Sequence, residues 1–155
     1  MRRRKRYRDH RWVRSISELN KGKIRLFVDA VLNEGRLDLI DELVAADYIG
    51  HIPCVDRDVI GPNGVRQLVS SYRRVHHDLY VKVEDQIAED DRVVTRWLAT
   101  STHDGNGSGV SRARTHCCAG ISIVRLLAGR QVDSLTECAD FRRIADEADD
   151  GQERR

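Results

Sequence analysis

Apolar positions in this chain change their period about half-way along. In the first half they recur at helical spacing. Leu19, Ile24, Phe27, Val28, Val31 and Leu32 predict one apolar helix face, beginning at Ser17-Glu18-Leu19-Asn20. Asn33-Glu34-Gly35 ends it, with Gly35 suited to the left-handed position after a helix. Leu37, Ile40, Leu43 and Val44 predict a short second helix, and Asp38 and Asp41 suit its start. Asp47–Pro53 reads as a short extended piece stopped by Pro53. Gly61-Pro62-Asn63-Gly64 reads as a turn, followed by a third helix from about Asn63 to Val75 with Val65, Leu68, Val69 and Tyr72 on one face.

From Leu79 onward the period is two. Leu79, Val81, Val83 and Ile87 share parity in a first long strand, turned by Glu89-Asp90-Asp91. A second strand spans Arg92–His103, and Asn106-Gly107-Ser108-Gly109 reads as a hairpin tip. A third runs from about Arg112 to Leu127 and a fourth from Arg130 to Phe141. The order helix, helix, short strand, helix, then four strands predicts an α+β fold, with helices on one side of a curved sheet. Gly120, inside the third strand, reads as a bend that helps the sheet curl.

Alternation then sorts the strand side chains. Thr95, Trp97, Ala99, Ser101 and His103 form one set on the second strand. His116, Cys118, Gly120, Ser122 and Val124 form one on the third, and Asp133, Leu135, Glu137 and Ala139 one on the fourth. Parity alone leaves open which sets face inward, and a bulge can reverse a set partway along.

Charge adds a second division. The net charge of +2 conceals a basic head: Arg2, Arg3, Arg4, Lys5, Arg6, Arg8, Arg11 and Arg14 against Asp9. Residues 1–15 are therefore read as a solvated, disordered arm, 16–144 as the domain and 145–155 as an acidic tail. At 155 residues, one domain is expected. No apolar core follows the arginines, as a secretory signal requires, and no apolar run is long enough to span a membrane. The expectation is a cytoplasmic protein. Nothing in residues 15–155 has the basic, aromatic-interleaved stripe of a nucleic-acid binder. Cys54, Cys117, Cys118 and Cys138 form no Cys-x-x-Cys and are read as reduced, small apolar residues. A metal site from His51, Cys54 and His116 matches no common ligand spacing, so none is expected.

In this order the segments resemble the SnoaL-like polyketide cyclase and ester cyclase group of the nuclear transport factor 2-like superfamily. The resemblance rests on Phe27-Val-Asp-Ala-Val-Leu-Asn-Glu-Gly-Arg-Leu-Asp38, Asp47-Tyr-Ile-Gly-His-Ile-Pro53 and Gly61-Pro-Asn-Gly-Val65. It continues through Asp78-Leu-Tyr-Val-Lys-Val-Glu-Asp-Gln-Ile-Ala-Glu-Asp-Asp-Arg-Val-Val-Thr-Arg-Trp97, Thr102-His-Asp-Gly105 and Gly120-Ile-Ser-Ile-Val-Arg125. It implies a cone-shaped, mixed or antiparallel sheet wrapped around the N-terminal helices (a cystatin-like α+β barrel). It also implies a deep apolar pocket for a small apolar or carbonyl-containing ligand, no cofactor, and a homodimer.

The resemblance also assigns roles. In SnoaL-like cyclases the acid/base aspartate precedes an Asp-Phe pair like Asp140-Phe141, which places Glu137 at that position. The cyclases' assisting histidine aligns with Ser122, a departure, since serine cannot act as an imidazole. The aspartate–arginine pair of the more distantly similar limonene epoxide hydrolases falls near Ala99 and Trp97, which argues against that chemistry. Glu137 is thus the expected general acid/base, its pKa raised by an apolar cone, with His51 and His103 as assisting groups. Tyr48, Trp97, His116, Cys118, Ser122 and Leu135 are the expected ligand contacts. His76-His77 reads as helix capping and surface. The expected reaction is an aldol-type cyclisation, isomerisation or hydration. The alternative is a non-catalytic module of the same fold that binds a hydrophobic ligand or a partner segment.

Overall fold

The structure, a computed structural model, describes residues 15–52, 55–103 and 114–140. Helix α1 spans Ile16–Leu26 and starts earlier than the periodicity alone suggests, because Ser15 caps it. The Ser15 hydroxyl accepts a hydrogen bond from the Glu18 amide at 3.2 Å, satisfying one of the orphan N–H groups of a helix start. Over Phe27–Asn33 the helix widens to a π-helix, and the Glu34 amide bonds back to Asp29 O. Gly35, at φ +75°, then breaks the path as expected. A 3₁₀ turn over Leu37–Leu39 and α2 over Ile40–Leu43 make up the short second helix.

The extended piece is longer than predicted: β1 spans Val44–His51 and pairs with a two-residue strand β2, Val59–Ile60. The predicted turn at Gly61 is absorbed into α3, Gly61–Val75, whose first turn tolerates Pro62 because its missing N–H would have no helical acceptor. Four strands follow: β3 Tyr80–Glu89, β4 Arg92–His103, β5 Arg114–Leu127 and β6 Arg130–Asp140. They pair as antiparallel neighbours, and β6 also takes β1 as a parallel partner. The sheet is mixed and six-stranded, in the order β2-β1-β6-β5-β4-β3. The expected α+β class holds; the parallel β1–β6 pairing is the feature that local patterning did not predict.

One face of this sheet carries the helices, and two apolar clusters seal it. Val31, Ile40, Leu43, Val44, Tyr48, Val59, Val65 and Val69 pack α2, α3 and the π-helix against β1. Ile24 of α1 packs on Val93, Val124 and Leu126 of β4 and β5. Each fully buried aliphatic side chain here contributes about 1.5–3 kcal/mol relative to exposure. The parity expected for β3 breaks at a register shift between Val83 and Asp85. Val81 is buried, yet Ile87 is 68% exposed, because the bulge turns Gln86 and Ala88 inward in its place.

The edge strand β3 is closed by a side chain. Asn33, at the end of the π-helix, donates from Nδ2 to Val81 O at 2.9 Å and accepts from the Val81 amide at 2.7 Å. Arg73 of α3 caps the same helix end, donating from Nη1 to Leu32 O and Asn33 O at 2.9 and 2.7 Å. The arm of residues 1–14, the expected hairpin tip and residues 141–155 lie outside the described residues.

Candidate active site

On the helix-covered face, alternation along β4, β5 and β6 places a row of neutral polar groups side by side. Trp97 Nε1 donates to Ser122 Oγ at 3.0 Å, and Ser122 Oγ shares a hydrogen bond with Thr136 Oγ1 at 2.9 Å. Two residues from Thr136 on the same face of β6, Ser134 shares a 2.6 Å hydrogen bond with the Tyr48 hydroxyl of β1. The row Trp97, Ser122, Thr136, Ser134, Tyr48 therefore crosses four strands. Its residues lie far apart in the chain, and only the sheet order brings them together.

Two glycines make the row possible. A Cβ on Gly120 would overlap the Trp97 ring and come within 2.6 Å of Glu137 O. Gly120 is thus a seat for the indole. The pairing of β4 with β5 runs through it in unbroken register, so no bulge interrupts the strand there. A Cβ on Gly50 would likewise overlap the Tyr48 phenol, which leans back across its own strand. Near the row, Gln131 is 6% exposed and its Nε2 has no partner among the described residues. Thr95, also buried, accepts from Gln86 Nε2 at 3.2 Å. Burial pushes the Tyr48 phenol above the usual tyrosine range; the Ser134 hydrogen bond opposes this and the charge of Asp133 adds to it. Tyr48 is therefore a neutral hydrogen-bonding group at physiological pH.

Residues 22–134 match the model of the SnoaL-like polyketide cyclase family. The chain belongs to that family. The fold has many solved relatives. A candidate polyketide cyclase from Acidithiobacillus ferrooxidans superposes with a TM-score of 0.68 at 20% identity, covering 85% of this chain and 98% of that one. IdmH, a candidate polyketide cyclase from Streptomyces antibioticus, gives 0.71 at 23% identity, covering 83% and 98%. AclR, a candidate hydroxylase from Streptomyces galilaeus, gives 0.64 at 22% identity, with 83% of each chain covered. At these identities the likeness is one of fold. A sequence comparison with curated proteins matches none.

Within this SnoaL-like fold the expected ligand contacts divide. Tyr48, Trp97, His116, Cys118 and Ser122 lie on the helix-covered face; Leu135 lies on the other and is 47% exposed. Of the expected catalytic trio, Glu137 and His51 lie away from the helix-covered face. Glu137 shares the outer face with Leu135 and is exposed, because the inward set on β6 is Ser134, Thr136 and Cys138. Among the described residues no apolar enclosure surrounds that carboxylate, which corrects the picture of Glu137 inside the cone. His51 ends β1 on the surface, its Nδ1 2.7 Å from Asp58 Oδ1 in a pair more than half exposed. His103 ends β4, and its side chain lies outside the described residues. None of the three is hydrogen-bonded to another among the described residues.

Ser134, Thr136 and Gln131 were not singled out from the sequence. Alternation could have found the first two had the fourth strand been read in the opposite parity. His76 was read as capping and surface. It does follow α3, but its ring turns under the sheet, with Nδ1 3.0 Å from Ser101 Oγ. Asp78, in the same turn, accepts from the Thr102 amide at 2.8 Å and from the Thr102 hydroxyl. Those bonds from Thr102 hold the Asp78 carboxyl below the usual carboxylate range.

Proposed function

We propose that this chain is a SnoaL-like enzyme acting by acid/base chemistry on a carbonyl-containing, polyketide-like small molecule. The reaction class is aldol-type cyclisation, isomerisation or hydration, carried out by side chains alone. The observation that carries this is the row Trp97–Ser122–Thr136 and Ser134–Tyr48 on the helix-covered face, with the buried Gln131 Nε2, partnerless among the described residues, three positions before Ser134 on β6. Neutral donors and acceptors set among apolar walls suit the carbonyl and hydroxyl oxygens of a largely apolar ligand. The flat Trp97 ring suits the face of a planar one. Relatives described as candidate polyketide cyclases fit the same substrate class.

The competing reading, a ligand-binding module without chemistry, is favoured by one observation: as far as Cys138, the inward positions of β4, β5 and β6 include no carboxylate, and Asp140, the next in that register, has a side chain outside the described residues. The partner in this proposal is a second copy of the chain. Leu135, Ile123 and Ile121 expose apolar side chains on the outer sheet face, with Ile49 on the neighbouring β1, each between 40% and 47% exposed, and a second copy would cover them. No helix among the described residues is long and apolar enough to cross a membrane.

The test is binding of a linear tricyclic ketone, tetrahydroanthracenone, followed by Trp97 fluorescence in a Trp12→Phe background. Saturable quenching is expected, weakened about tenfold in Ser122→Ala, which removes a hydrogen-bonding group worth about 0.5–1.5 kcal/mol. An unchanged Trp97 signal at saturating ketone rejects the reading.

A further inference from the structure

The inward face continues along β4 beyond Trp97 to Ser101, about 13 Å away at the rise of an extended strand. Ser101 is only 6% exposed, and its hydroxyl meets Nδ1 of His76 at 3.0 Å. Several bonds fix this imidazole. The His76 amide bonds to Tyr72 O at 2.8 Å, closing α3, and its carbonyl accepts from the Leu79 amide at 3.1 Å, closing the turn. Asp78, at the far end of the same turn, grips Thr102, the neighbour of Ser101 on β4. The turn is thus pinned to β4 at two successive residues, one on each face. His116 of β5 stands directly across from Ser101 in the strand register. Such pinning exceeds what capping a helix end requires.

Resting on the proposed function, we infer that His76 is the proton-transfer group of this site, held in place by Ser101. The resemblance places an assisting histidine at Ser122, which cannot act as an imidazole, and the α3–β3 turn brings one to the same face of the sheet. With Nδ1–H donating to Ser101 Oγ, Nε2 keeps a free lone pair. Nε2 takes a proton from the carbon next to a ligand carbonyl. The C–H electron pair forms the C=C bond of the enolate, and the carbonyl π pair moves to oxygen. Return of a proton from the imidazolium to carbon or oxygen completes an isomerisation; attack of the enolate carbon on a second carbonyl of the same molecule forms the new C–C bond, and the imidazolium protonates the resulting alkoxide. The substrate class is an elongated, neutral polycyclic or poly-carbonyl compound. One end rests on Trp97, and an enolisable position lies at the His76 end. Among the described residues, the titratable groups near this ring in sequence or strand register are Asp78 and His77 from its own turn, His116 from β5 and Asp140, opposite Cys118, on β6.

The experiment is hydrogen–deuterium exchange at the α-carbon of tetrahydroanthracenone in deuterated buffer, read by mass spectrometry beside the binding measurement. Wild type should catalyse exchange. His76→Gln should lose about 100-fold or more, the range of general acid–base catalysis, with ketone binding retained. His76→Asn, which keeps a hydrogen-bonding partner for Ser101, should be equally inactive. Ser101→Ala should keep part of the activity but shift its pH profile, and Ser101→Thr should restore it. Exchange within twofold of wild type in either folded His76 variant overturns the inference and leaves the enzyme reading intact. A wild type that binds the ketone but leaves its α-protons in place, or does not bind it, overturns both.

Discussion

Gly120 illustrates how a single position can carry a different meaning from the one its residue type suggests. A glycine inside a strand marks a bend or a close approach of another group, and here it leaves space for the Trp97 ring, which donates to Ser122. Gly120→Ala should therefore cost about 1–3 kcal/mol through forced side-chain and backbone shifts. A urea-unfolding midpoint unchanged from wild type would show that the indole has another place to go. The same scale explains why Glu137 was misplaced. Its residue type, a carboxylate near the end of the last strand, fits a general acid/base, but its parity puts it opposite Ile121 on the exposed face. A one-residue choice of parity decides between substrate and solvent, and the aligned Asp-Phe pair could not make that choice.

Among the elements, the π-helix and the α3–β3 turn do the most to shape the site. The helical period was legible in residues 19–32, but not the widening over Phe27–Asn33, which is stabilised from outside by Arg73 and by the Asn33–Val81 clamp. Asn33→Ala should destabilise the domain by about 1–3 kcal/mol, since the Val81 amide and carbonyl lose their partner on a partly buried edge. Amide exchange at Val81 should accelerate with it; exchange as slow as in wild type would mean that the edge is protected otherwise. The strands themselves were legible because period-two alternation survives burial on one face. β1 was read too short because only its pairing with β6 continues it back to Val44. The reversal at Ile87 came from a bulge between Val83 and Asp85, where Asp85 interrupts the apolar parity without showing that the strand faces reverse.

At the scale of the molecule, one sheet serves two purposes. Its helix-covered face carries the polar row, and its outer face carries an apolar band crossed by charged pairs such as Arg125–Asp133 at 2.7 Å. Exposed apolar side chains grouped on one sheet face mark an interaction surface. Leu135→Lys should therefore convert a dimer to a monomer in sedimentation equilibrium, with the Trp97 binding signal of each chain retained. Wild-type protein that sediments as a monomer at tens of micromolar would remove the second copy from the proposal. This arrangement also gives Glu137 a place: it stands beside that band, on the opposite face from the polar row.

Local patterning determined the helices, the four long strands and the α+β class, because hydrophobic period and turn residues act between near neighbours. It also determined which residues alternate together on β4 and β5. The tertiary structure alone decided which set on β6 faces inward, that β1 lies beside β6, and that His76 meets Ser101 across 25 residues of chain. Those outcomes depend on which strands become neighbours and on where a bulge falls. Both are set by packing the helices against one face of the whole sheet, and no short stretch of residues records them.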